Sequence, residues 1–145
     1  MFRCQDLKPF EVWTFPFEFG GDPQPQWKHW IVAANVPAIE RVVFFKPTSQ
    51  VGSYDREPSR LLGAVEYAAG ELSLFPVRTI ISPDCFPISY QYLRARHASG
   101  ELIPKGMLPA EFRERMNRAV TMSEEFRKKQ RDDFFRWFQK GEAGD

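Results

Sequence analysis

At 145 residues the chain is about one domain long. Hydrophobic residues make up 43%, with 14 Phe and 4 Trp, enough for one real core, because each fully buried Phe stabilises by roughly 1.5–3 kcal/mol. A formal net charge of +1 excludes a global field that would draw the chain to nucleic acid or anionic lipid, so any such binding must work through a local patch.

The opening nine residues read as a short lead-in. Residues 10–19 (FEVWTFPFEF) are aromatic and β-branched, a strand broken near Pro16. Gly20-Gly21-Asp22-Pro23-Gln24-Pro25 is dense turn chemistry and forms a loop. Residues 27–35 (WKHWIVAAN) make a second strand, polar and aromatic at its start and apolar at its end. Pro37-Ala38-Ile39 turns the chain into a third strand at 41–46 (RVVFFK). The stretch 50–60, with Gly52, Pro58 and charges of both signs, has the composition of a mobile surface loop.

Residues 61–67 and 72–75 are further short strand candidates, split by the turn at Ala69-Gly70-Glu71. Residues 78–82 and 88–93 continue the rhythm, the second also fitting a short helix. Short strands at this spacing favour a small barrel or a strongly curved sheet. From Pro109 the pattern changes. Phe112, Met116, Ala119, Ser123, Phe126, Gln130, Phe134 and Phe138 recur at three or four residues, giving an amphipathic helix over 109–140 with Pro109 in its first turn. The basic triplet Arg127-Lys128-Lys129 reads as a solvated face balanced by Glu124, Glu125, Asp132 and Asp133. The cluster Phe134, Phe135, Trp137 and Phe138 exceeds one narrow stripe and implies packing on the strands or on a second subunit. The whole is one α+β, β-rich domain, 1–145, with a barrel at 10–105.

Cys4 and Cys85 make no disulfide framework, and neither has a Cys or His at metal-ligand spacing, so both read as idle or buried thiols. No apolar run reaches signal-peptide or membrane-spanning length, which fits a protein of the reducing cytoplasm with no membrane partner. Phosphate-loop, dinucleotide, nucleophile-elbow and zinc-protease motifs are absent. With only His29 and His97, a multi-histidine metal centre within one chain is excluded. His97 falls in an exposed turn (Arg96-His97-Ala98-Ser99-Gly100). No metal or cofactor is implied.

The remaining polar groups cluster in the strand-rich half. Lys28 and His29 begin the second strand, while Lys46, Thr48 and Ser49 close the third. Antiparallel pairing through the Pro37 turn would bring these ends to one rim. Two cations, one group titrating near neutrality and two hydroxyls are the parts that metal-free RNA cleavage requires. The same groups also fit an ordinary polar sheet edge guarded by lysines.

The order of segments carries a resemblance. Val12-Trp13-Thr14-Phe15-Pro16, then Lys28-His29-Trp30-Ile31-Val32, then a strand ending in Thr48-Ser49, a loop, residues 77–84 (VRTIISPD), residues 88–93 (ISYQYL), Gly100-Glu101-Leu102 and a terminal helix together resemble the MazF/PemK family of plasmid-maintenance toxins over roughly residues 10–120. The resemblance implies a small SH3-like barrel, a homodimer, an antitoxin protein as partner, and metal-independent cleavage of single-stranded RNA. It carries a basic residue onto Lys28, where the family has Arg followed by Pro, and a Thr/Ser pair onto Thr48 and Ser49; His29, absent from the family's usual pattern, takes the place of acid or base in this chain. Lys46, Gln50, Tyr54 and Arg56 are the accompanying candidates for RNA binding. Two further features depart from the family: Lys28 lacks the planar fork of Arg, and a long charged extension follows Val120. A barrel that binds RNA or a protein partner without cleaving is the alternative.

Overall fold

The computed structural model describes residues 1–17 and 26–122, together with Asp132. Its strands are β1 (Glu11–Phe17), β2 (Gln26–Val36), β3 (Arg41–Thr48), β4 (Val65–Tyr67), β5 (Thr79–Ser89) and β6 (Ile103–Met107). Its helices are α1 (Gly52–Arg56), α2 (Tyr90–Ala98) and α3 (Glu111–Met122). The six strands form one curled antiparallel sheet in the order β4-β5-β3-β2-β1-β6. Among the described residues no helix is long and apolar enough to cross a membrane.

The unbroken apolar runs of β2 and β3 have a direct cause. Successive side chains on a strand point to opposite faces, and here both faces are covered. One face gathers Ile31, Val43, Phe45 and Ile81 beneath Phe112, Met116, Ala119 and Val120 of α3. The opposite face gathers Phe15, Trp30, Val32 and Phe44 against Tyr90 and Leu93 of α2. Ala33 and Ala34 both join the α3 face because the β2–β3 register slips between Val32 and Ala34, a bulge that adds one residue and bends the strand.

Several sequence expectations change. The first nine residues are part of the core rather than a lead-in: Cys4 and Leu7 are buried. Asn35 Nδ2 donates to the carbonyls of Cys4 and Leu7 at 2.7 and 2.9 Å, while the Tyr90 hydroxyl donates to Asn35 Oδ1 at 2.5 Å. The strand expected at 78–82 runs on without a break as β5 to Ser89, while residues 90–93 open α2, the short helix that also fitted 88–93; the Ser89 side chain caps that helix by accepting from the Tyr92 N–H at 3.1 Å. Pro83 and Pro87 hid this strand. Pro83 lies where the register jumps from Pro47↔Ile81 to Phe45↔Cys85, and Pro87 lies beyond β4, which reaches only Thr79–Ile81; a bulge and an open edge are the places a strand tolerates proline.

Residues 72–75 form turns rather than a strand, and 61–63 belong to a 3₁₀ turn (Pro58–Gly63), leaving only the short β4. The stretch 50–60, expected as irregular loop, contains α1 and the start of that turn. Arg78 fastens it, donating to Asp55 at 2.7 Å and to Glu66.

The helix expected from Pro109 is present as α3, with Phe112, Met116, Ala119 and Val120 inward. Arg115 ties it to β4 by donating to the Glu66 carbonyl at 2.7 Å, its guanidinium 4.6 Å from the Tyr67 ring centroid. The basic triplet at 127–129 and the aromatic cluster Phe134, Phe135, Trp137 and Phe138 lie outside the described residues. His97 sits in the last turn of α2, exposed and stacked on Phe2 at 4.4 Å, not in the turn itself. Gly100 (φ +76) supplies that turn, its left-handed backbone allowing the Gly100 and Glu101 amides to reach the His97 and Arg96 carbonyls.

Candidate functional site

The site lies where the central pair of strands separates. β2 and β3 pair from Val36↔Arg41 to Ile31↔Phe45. Beyond that point residues 26–30 pair with β1 only, and Pro47 and Thr48 pair with β5 only, at Ile81 and Ile80. Pro47 has no amide hydrogen to donate to β2, and the register of β3 against β5 shifts between Phe45 and Pro47. A cleft of ≈ 400 Å³ occupies the gap.

Lys28, His29, Lys46, Thr48, Ser49 and Gln50 all line this cleft, so the rim expected from the hairpin geometry exists. Alternation places His29 with Trp27 and Ile31 on one face of β2, and Lys28 with Trp30 on the other. Both faces of the strand end reach the cleft because β3 no longer covers that edge. Thr48 holds the turn out of β3, its Oγ1 accepting from the Gln50 N–H at 3.1 Å; the hydroxyl hydrogen is still a donor to a ligand. Lys46 Nζ stands 5.6 Å from the centroid of the Phe86 ring, a cation over an aromatic face.

Two RNA-binding candidates lie elsewhere. Tyr54 is 8% exposed, with the Arg60 guanidinium 4.8 Å from its ring centroid, so its role is to seat α1. Arg56 is exposed but does not line the cleft. The polar composition of 50–60 could not reveal that one turn of helix points its only tyrosine inward.

The structure adds groups that the sequence left unmarked. Thr14 faces His29 across β1 and β2, its Oγ1 2.6 Å from Nδ1; only the hairpin register joins these two residues. A wall of Leu74, Phe75, Pro76 and Val77 faces the polar strand ends. This wall sits close to β6 because Gly106 (φ +147) has no side chain: a Cβ there would lie 3.0 Å from Leu74 Cδ2. Trp27 also lines the cleft and is 51% exposed.

Electrostatically the cleft is one-sided. No Asp or Glu lines it among the described residues, whereas two lysines and a histidine do. The His29 pKa is lowered, first by burial of the ring and second by the positive charge of Lys105. Lys105 is the residue bulged out where β6 pairs Gly106 with Val12 and Pro104 with Trp13. Both causes disfavour imidazolium and keep His29 neutral near pH 7. If Nδ1–H donates to Thr14, the lone pair is on Nε2. That combination accepts a proton and stabilises an anion. Among the described residues no group of three or more His, Cys, Asp or Glu is placed to hold a metal ion.

No protein-family model matches this sequence, and a search of curated proteins gives no match.

Proposed function

We propose that the protein is a metal-independent endoribonuclease acting on single-stranded RNA, built on a small SH3-like barrel of the MazF/PemK type. The observation that carries this reading is the cationic cleft, free of carboxylates among the described residues, that holds His29 beside Lys28, Lys46, Thr48 and Ser49. An anionic ligand is what such a lining favours, and a neutral histidine beside it suits general-base work.

In this mechanism His29 Nε2 takes the proton of the ribose 2′-hydroxyl, and the 2′-oxygen attacks the adjacent phosphorus. Lys28 and Lys46 stabilise the added negative charge of the phosphorane, and the Thr48 and Ser49 hydroxyls donate to its oxygens. The P–O5′ bond breaks, with the leaving oxygen protonated by a lysine ammonium or by water. The products are a 2′,3′-cyclic phosphate and a 5′-hydroxyl. Thr14 is a positioning residue that holds the His29 ring through Nδ1. The homodimer and the antitoxin partner belong to the same proposal, and sedimentation of the purified chain tests the first.

A specific observation favours the second reading, a binder that does not cleave. Lys28 stands where the resembling family carries Arg, and lysine is a point charge without the fork that grips a phosphate through two bonds. One assay separates the two. Purified protein is incubated with mixed-sequence single-stranded RNA in EDTA, beside the His29→Ala, Thr48→Ala double variant. Cleavage leaving cyclic phosphate ends, absent in the variant, supports the enzyme. Intact RNA with the wild-type protein sinks the enzyme reading and leaves the binder.

A further inference from the structure

The chain has three tryptophans in its described residues, and their surroundings differ sharply. Trp30 is 0% exposed and donates its indole N–H to the Phe15 carbonyl. Trp13 donates to Glu11 and meets Phe2 edge-on, ring centroids 6.0 Å apart. Trp27, only three residues from Trp30 on β2, is 51% exposed at the mouth of the cleft. It shares a face with His29, two residues along the strand, a distance of about 7 Å. Across the gap Val77 is likewise open, at 53%. The cleft thus has two chemistries side by side: open apolar surface at Trp27 and Val77, and cationic groups at Lys28, His29 and Lys46.

A ligand that satisfies both halves carries a flat apolar group next to an anion. A nucleotide unit does so, with its base and its phosphate. Resting on the nucleic-acid reading of the cleft, we propose that Trp27 is a stacking platform for one unpaired nucleobase adjoining the phosphate held at Lys28 and His29. Every base offers a π-face, so this contact reads strandedness rather than base identity. A base inside a duplex is already stacked on both sides and has no face to offer. Trp27 therefore selects single strands, while the lysines supply attraction common to any polynucleotide.

The test uses a 2′-O-methylated single-stranded oligonucleotide, which cannot be cleaved through its 2′-oxygen, and the same strand lacking its bases. Binding to the full chain is followed by fluorescence anisotropy in EDTA. Trp27→Ala is expected to weaken binding of the base-bearing strand by about 5- to 150-fold, with most of the affinity kept in Trp27→Phe. The abasic strand is expected to bind the wild-type protein weakly and to be unaffected by Trp27→Ala. Lys28→Ala, by contrast, weakens both strands and lowers the salt dependence. Equal affinity of wild type and Trp27→Ala for the base-bearing strand overturns the proposal, as does an equal loss for both strands. Thermal unfolding of each variant separates a lost contact from a lost fold. Trp27-dependent binding without any RNA cleavage sustains the stacking platform while sinking the ribonuclease. Cleavage and binding untouched by Trp27→Ala do the reverse.

Discussion

The two halves of the β2–β3 hairpin make opposite use of the same strands. From Ile31 to Val36 and from Arg41 to Phe45 the strands pair, and Ile31, Val32, Val42, Val43, Phe44 and Phe45 are 0–1% exposed. One helix lies over each face there. Beyond Ile31 and Phe45 the strands part, and the side chains become Trp27, Lys28, His29, Lys46 and Thr48 around a cleft. The difference teaches where a sheet of this kind keeps its polar chemistry. A strand covered on both faces has no room for a charge, because an unpaired buried ion costs several kcal/mol. A strand that has lost one neighbour opens an edge to water, and cations are tolerated there.

That contrast is broken most directly by truncating one side chain in each half. Phe45→Ala removes a fully buried ring that meets Phe112 edge-on and is expected to lower stability by about 3–5 kcal/mol. Thr48→Ala, at the parted end, is expected to change stability by about 1 kcal/mol or less. Urea unfolding of both variants decides the matter, and similar losses would show that the cleft residues carry the fold as well. A smaller effect tests the N-terminal segment docked on the paired half. Asn35→Ala leaves the Cys4 and Leu7 carbonyls and the Tyr90 hydroxyl short of a partner and should cost about 1–3 kcal/mol. An unchanged midpoint would mean that water replaces the amide without loss.

The third prediction sharpens the contrast through pH and is the smallest in stability. The His29 pKa is lowered in the folded protein, so folding favours the neutral ring. The corresponding stability is present above the unfolded histidine value of 6.5 and is lost as pH falls below it toward the folded pKa. A His29→Gln variant should show a flatter dependence of stability on pH in that window. Lys105→Ala should move the His29 titration upward, since it removes a neighbouring positive charge. Proton NMR of the His29 ring measures the shift directly. A His29 titration that stays put in Lys105→Ala would remove Lys105 from the site.

Much of this was written in the chain's local pattern. The β2 and β3 runs announce strands through β-branched and aromatic residues, the Pro37 turn announces their antiparallel pairing, and the spacing of Phe112, Met116 and Ala119 announces α3. Those signals are short-range, so Lys28, His29, Lys46, Thr48 and Ser49 could be expected at one rim from the hairpin alone. What stayed hidden depended on partners distant in sequence. Pro83 and Pro87 look like breaks until β4 is seen to stop short of one and a bulge to hold the other. Tyr54 looks like a surface residue until it is found buried under Arg60.

Composition and periodicity by themselves determined the β-rich α+β class, the hairpin and the amphipathic start of α3, because those follow from which side chains repeat on which face. Only tertiary structure decided that β2 and β3 part beyond Phe45, that Thr14 meets His29, that Lys105 stands near enough to lower its pKa, and that Trp27 stays open while Trp30 is buried. Each of these is fixed by strand register and by the removal of water at one end of a sheet, and neither quantity is a property of a residue and its neighbours along the chain.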